Sequence, residues 1–208
     1  KREKTSLFYP KEVNFMKIAV VCANGKAGRY IVNEAVQRGV DVTAVVRGEN
    51  CSNTKQVIQK DLFNLTANDL KGFDVVIDAF GAWTDETLPQ HSTSLKHLCD
   101  ILSNTDIRLL IVGGAGSLYT NSEHTQQVMD GKDFPDMFKP LAKAQGKALE
   151  ELRKRNDVQW TFMSPAADFQ ADGVRTGKYI LGGEEFFVNK NGESIISYAD
   201  YAIAMIDE

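Results

Sequence analysis

Between its first apolar run and its first helical pattern the chain reads Cys22-Ala23-Asn24-Gly25-Lys26-Ala27-Gly28, the stretch with the most chemical content. Holding a pyrophosphate at a helix start asks for three things: a tight turn, a residue without a side chain where backbone meets phosphate, and a close helix-to-strand contact. Gly25 and Gly28 answer the second and third needs, while Cys22 stands where the usual pattern has its first glycine. About twenty residues further on, Val45-Val46-Arg47 closes a second apolar run. A carboxylate there would bind a ribose 2′-hydroxyl, whereas a guanidinium suits a 2′-phosphate. Cys22, Asn24, Gly25, Lys26, Ala27, Gly28 and Arg47 are therefore read as a dinucleotide site that prefers NADP(H). Glu49 keeps NAD(H) open. The alternatives are an unliganded glycine-containing turn and a solvated arginine at a strand end.

These residues need elements to position them. Apolar runs at 18–22, 42–46, 56–60, 74–80, 108–112 and 158–163 predict six strands. Helical periodicity predicts helices over 26–38, where Ala27, Ile31 and Ala35 share a face and Gly39 supplies the stop, over 88–102, and over 139–155. Thr66 with Asp69 three residues on predicts a brief capped helix. Alternating strands and helices imply βαβ units with right-handed crossovers, hence an α/β, Rossmann-type, doubly wound and mostly parallel sheet. At the tail, 186–188 and 194–196 flank Asn189-Lys190-Asn191-Gly192 and predict a small hairpin. Ser197 with Asp200 then caps a last helix that runs to Glu208.

Residues 1–15 are charged, carry Pro10 and show no period, so they are expected to be an N-terminal extension ahead of a natural start at Met16. Residues 16–208 are expected to form one dinucleotide-binding domain. The chain has 208 residues with a net charge of −4, without the basic stripe of a nucleic-acid binder. No apolar run approaches the roughly 18 residues of a membrane span. Its three cysteines include no C-x-x-C pair, and its histidines fall at no metal-ligand spacing, so neither a disulfide framework nor a metal site is expected. Reduced thiols in the cytoplasm follow from that cysteine usage.

With these residues in place, the chain resembles the atypical short-chain dehydrogenase/reductases of the NmrA-like, NAD(P)H-binding group. It is most similar to the small NADH-flavin reductase type and more distantly to biliverdin reductase B/flavin reductase. The marks are KIAVVCANGKAGRYIV, VTAVVR, QKDLFNLT, DVVIDAFGAW, LLIVGGAGSLY, AQGKALE, WTFMSPAADF, RTGKY and SYADYAIAMIDE, spread over residues 16–208. The resemblance implies that Asp61 and Leu62 lie near the adenine, and Ala79, Phe80 and Gly81 along the ribose and nicotinamide. It brings Gly113, Gly114 and Ser117 to the nicotinamide end, with Ser164, Pro165 and Ala166 closing over that ring. Lys143 is the basic residue nearest the expected location on the helix after the fifth strand.

Dehydrogenases of the broader superfamily use a Tyr-x-x-x-Lys pair as proton donor. None of Tyr9, Tyr30, Tyr119, Tyr179, Tyr198 and Tyr201 has lysine four residues on. Reduction of a flavin or quinone needs no such pair, since the site has mainly to stack and orient the acceptor. Ser117 is the catalytic candidate, as a hydrogen-bond donor to acceptor or carboxamide, or else a loop hydroxyl. Trp83 and Tyr119 are candidate walls for the acceptor, and Cys22 reads as a buried thiol rather than a redox sensor. The expectation is an NAD(P)H-dependent oxidoreductase with a flavin or quinone as substrate, acting as a monomer or weak homodimer. An NADP(H)-sensing regulator without turnover is the alternative, and a sugar-nucleotide epimerase a weaker third.

Overall fold

Strands buried on both faces read as continuous apolar runs, and four segments of this chain do so. They are β1 (Lys17–Val21), β2 (Asp41–Val46), β4 (Val75–Asp78) and β5 (Arg108–Val112), joined by β3 (Gln56–Gln59) and β6 (Gln159–Met163). The computed structural model describes residues 16–208. The expected extension, 1–15, lies outside them. The six strands form one sheet in the order β3-β2-β1-β4-β5-β6, with every pairing parallel. This is the doubly wound order, and its direction reverses between β1 and β4, so a crevice opens above their carboxyl ends.

Four helices cover the sheet: α1 (Lys26–Gln37), α2 (Gln90–Leu102), α3 (Lys139–Leu152) and α4 (Tyr198–Asp207). Successive strand residues point to opposite faces, which splits the core in two. Ala19 and Val21 join Leu98, Leu102, Leu109, Leu149 and Leu152 on the side of α2 and α3. Ile18 and Val20 join Ile31, Val32, Tyr201 and Met205 on the side of α1 and α4. Gly39 follows α1 at φ +71, the left-handed stop that the sequence predicts. Among the described residues no helix is long and apolar enough to cross a membrane.

Two expected elements differ. The turn at 189–193 forms, with the Asn189 N–H donating to the Glu193 carbonyl at 2.8 Å, but the predicted hairpin around it does not. Instead β8 (Ile195–Ser197) runs parallel to β7 (Asp168–Gln170) in a separate two-stranded sheet. That pairing packs Phe169 and Ile196 on the α4 side of the core, with the Phe169 ring 4.0 Å from Tyr198 and 4.8 Å from Tyr201. Burial of these side chains outweighs the local turn signal. At Thr66 the expected helix is a single turn. The Asp69 carboxylate accepts from the Thr66 N–H at 2.7 Å and from Lys60 Nζ, and Gly72 at φ +89 leaves the helical region three residues later.

Candidate functional site

β1 ends at Val21, and the turn begins with Cys22 in the left-handed region at φ +59. That conformation is costly for a residue with a side chain, on the order of 1–2 kcal/mol. The chain reverses there, and the Gly25 N–H closes the turn on the Cys22 carbonyl at 2.9 Å. Gly25 then caps α1 in extended conformation, with no side chain over the helix end and no acid in its first turn. The free N–H groups of that first turn, with Lys26 as its first residue, give the helix end a positive potential, which suits a pyrophosphate. A Cβ on Gly28 would lie 2.7 Å from the Cys22 carbonyl oxygen and 2.9 Å from Ala23 Cα, so α1 sits directly on the turn. These residues fit a dinucleotide.

Asn24 fastens the turn to the loop after β2. Its Nδ2 donates to the Glu49 carbonyl at 2.7 Å, and its Oδ1 accepts from the Cys51 N–H at 2.8 Å. Arg47, at the end of that strand, has a side chain 83% exposed, with Nε 3.9 Å from Asp61 Oδ2. The other Asp61 oxygen accepts from the Phe63 N–H at 2.9 Å. The structure thus brings Arg47 and Asp61 together on one side of the turn, while Leu62 is buried in the core.

On the other side of the turn, the Ala79 N–H bonds the Val21 carbonyl at 3.1 Å and so holds the strand ends together. Phe80 stacks edge-on against His91 of α2 at 5.3 Å, and His91 Nε2 bonds the Ala82 backbone at 3.1 Å. Burial pushes this imidazole below its ordinary pKa, so it is neutral at physiological pH. The indole of Trp83, 69% exposed, has its Nε1 3.6 Å from where a Gly81 Cβ would stand. Past β5, a Cβ on Gly113 would run into the Phe162 ring and one on Gly114 into Gln145 Oε1. Ser117 is 5% exposed and donates from Oγ to the Gly114 carbonyl at 3.3 Å.

Ser117 also lines a cavity of about 1110 Å³ that continues along β6 past Ser164, Pro165 and Ala166 to Ile180 and Leu181. Lys143 does not join this group of residues. It is exposed on α3, whose inward positions are Ala142, Gln145 and Gly146. Tyr119 is already engaged, its ring stacked on His124 at 4.3 Å and its hydroxyl accepting from Arg153 at 2.9 Å. Trp83 is exposed and lies outside this cavity, whose aromatic lining is Trp160, Phe162, Tyr179, Phe187 and Tyr201.

Sequence reasoning missed Asp78, His91 and Gln145. Asp78 ends β4, 3% exposed, with Oδ1 accepting from the Phe80 N–H at 3.0 Å. Burial pushes its pKa up to about 6. A lone carboxylate in the apolar run Val75-Val76-Ile77-Asp78-Ala79-Phe80 was the available signal. Burial, and then the neighbouring Asp78, push the Cys22 thiol up to about 12, far from the range of a redox-sensing thiolate. Among the described residues no group of histidines, cysteines and carboxylates could hold a metal.

Known proteins match along almost the same span. The chain is 45% identical over 198 residues to the uncharacterized protein YwnB of Bacillus subtilis (strain 168), covering 93% of this chain and 92% of that one. The structure superposes with a TM-score of 0.91 on a Streptococcus pneumoniae TIGR4 protein described as "a putative NADH-flavin reductase". That pair is 56% identical, over 93% of this chain and 92% of the other. A "putative epimerase" of Bacteroides thetaiotaomicron matches with a TM-score of 0.80 and 39% identity, over 94% of this chain and 91% of that one. A family described as NAD(P)H-binding matches residues 22–208, from the left-handed cysteine of the turn to the last helix. With that match, the glycine turn and the parallel sheet order in agreement, the chain belongs to this NAD(P)H-binding family.

Proposed function

We propose that this protein is an NADPH-preferring reductase of small planar acceptors such as flavins or quinones, which it takes as substrates rather than as bound cofactors. One observation carries the reading. An uncapped helix start suited to a pyrophosphate stands at the topological switch of the sheet, and no tyrosine of the chain has a lysine four residues on to assist it as proton donor.

The reduced nicotinamide supplies the hydride. The chain supplies the rest. Arg47 is free to leave its loose contact with Asp61 and take a 2′-phosphate, which an NADH molecule lacks. Ser117 Oγ can turn from the Gly114 carbonyl to donate to a carboxamide or acceptor oxygen. Trp83 offers an exposed ring for stacking, and the cavity beside Ser117, Ser164 and Pro165 admits a flat molecule. A delocalised acceptor needs no positioned acid, because water entering by the open cavity supplies any proton its reduced form takes up. The protein acts on such small molecules as a monomer or weak homodimer.

The test follows NADPH absorbance with purified protein and FMN, riboflavin or a simple quinone in turn, with NADH beside each. Acceptor-dependent oxidation above the uncatalysed rate, faster with NADPH, is expected. Tight NADPH binding without turnover of any planar acceptor would overturn the reductase reading in favour of a nucleotide-sensing regulator.

A further inference from the structure

Asp78 occupies the point where β1 and β4 part, opposite Val21 on one side and Ile111 on the other. Among the described residues, only the Phe80 N–H hydrogen-bonds its carboxylate. A buried carboxylate calls for more donors than that. Beside it lies a second, small cavity of about 20 Å³, whose polar walls are Asp78, His91, Ser94 and Gln145. Roughly 10–15 Å³ is enough for one water, which needs two to four polar partners. His91 Nε2 is committed to Ala82, whereas Ser94 Oγ makes only a long 3.5 Å bond to the His91 carbonyl. Gln145 makes no side-chain hydrogen bond among the described residues, and it is a polar side chain shared by two places. Part of it lines the small cavity, and its Oε1 lies against Gly114 in the dinucleotide crevice.

We propose that Asp78, Ser94 and Gln145 hold one ordered water in this cavity, and that this cluster fixes the Gln145 amide for the cofactor. Gln145 Nε2 then points inward as donor to the water or carboxylate, and Oε1 points outward to accept from the carboxamide N–H of a nicotinamide. Asp78 is a positioning residue that acts through Gln145, because an ionised carboxylate selects the amide orientation with nitrogen inward. The inference rests on the dinucleotide reading of the crevice and not on the acceptor.

Protonation of Asp78 would remove that selection, since a carboxylic acid can itself donate to the amide oxygen. Of the titratable groups facing Asp78, Cys22 beyond β1 and Cys99 on α2 are held up near 12 and 11 by burial, and burial lowers His91 below its ordinary value, so the Asp78→Asn variant is what separates the two titrations. β5 presents Ile111 and Val112 there, and α3 presents Gln145 and Ala148.

The experiment measures dinucleotide dissociation constants by nicotinamide fluorescence on the whole chain, together with a high-resolution crystal structure. NADH is used for the pH series, because its partner NADPH carries a 2′-phosphate that itself titrates near 6. Expected are one water within hydrogen-bond distance of Asp78, Ser94 and Gln145, and a Gln145→Leu variant that loses NADPH and NADH affinity equally, by about three- to tenfold. NADH binding of the wild type should weaken as pH falls through about 6. Asp78→Asn should abolish that dependence, and Ser94→Ala, which removes one polar wall of the water site, should weaken binding of NADPH and NADH equally at pH 8. Unchanged NADH binding by Gln145→Leu, or a flat wild-type pH series, would overturn the inference while leaving the dinucleotide site standing. Failure of the wild type to bind either dinucleotide would overturn both.

Discussion

Replacing Asp78 by asparagine should make the folded protein more stable at pH 8 and change it little at pH 4. Asparagine has the same shape and keeps an oxygen for the Phe80 N–H, but it carries no charge. Burial raises the Asp78 pKa from 3.8 to about 6, so folding makes ionisation harder. Between those values the native state binds more protons than the unfolded chain, and stability therefore falls as pH rises through this window. Above about 6 the full effect is present, and raising the pKa that far corresponds to about 3 kcal/mol. Each additional donor to the carboxylate, a cavity water included, lowers that figure, so it is a ceiling. For a chain of this size about 1 kcal/mol moves the melting temperature by roughly 2–4 °C. Urea unfolding of both proteins from pH 4 to 8 isolates the effect, because every other titrating group is common to the two. A stability difference that stays constant across this range, or that turns against the variant as pH rises, would refute the reasoning.

Three further outcomes follow from other residues. Arg47→Ala should raise the Kd for NADPH about 10- to 100-fold, the loss of one charge-assisted contact, and leave NADH within about twofold. Equal losses for both in a binding titration would remove Arg47 from the 2′-phosphate. Gly28→Ala places a Cβ 2.7 Å from the Cys22 carbonyl oxygen, against backbone that cannot move aside. It should abolish dinucleotide binding and destabilise the fold by about 1–3 kcal/mol, read by calorimetry. Of the three thiols, only exposed Cys51 should react rapidly with a disulfide reagent at pH 8, because burial holds Cys22 and Cys99 near 12 and 11. Counting released chromophore in buffer and then in denaturant tests this.

The sheet was legible because strands covered on both faces must be largely apolar, and 18–22, 42–46, 74–80 and 108–112 have that property, interrupted only by Thr43, Asp74, Asp78 and Arg108. The tail was not. A turn ending in Asn191-Gly192 is a local preference, while the partner of Ile195–Ser197 is decided by where Phe169 and Ile196 find apolar cover. The same division runs through the site. Gly25, Gly28 and Arg47 could be named from the sequence because the demands of a phosphate turn are local in the chain. Lys143 was chosen by residue type, but on α3 the face is decided by spacing, and Gln145 holds the inward position. Asp78 and Gln145 stand far apart in sequence and meet only through the packing of α3 over β4, which no periodicity reveals.

The two ends of the crevice differ in kind, and the difference bears on which chemistry they can serve. On the side of Arg47 recognition is electrostatic: a free guanidinium, Lys26 and an uncapped helix start all favour phosphate. Toward Ser117, three candidate proton donors are neutral, buried or already engaged. His91 is held uncharged, the Tyr119 hydroxyl accepts from Arg153, and Asp78 stands behind Gln145 with 3% exposure. A ketone becoming an alcohol must receive a proton on oxygen as hydride arrives on carbon, so it depends on a positioned acid. A flavin or quinone spreads the incoming charge over its rings and can take its proton later from water. On the proposed reading, an end that orients through the amide of Gln145 and the hydroxyl of Ser117 serves the second class of acceptor better than the first.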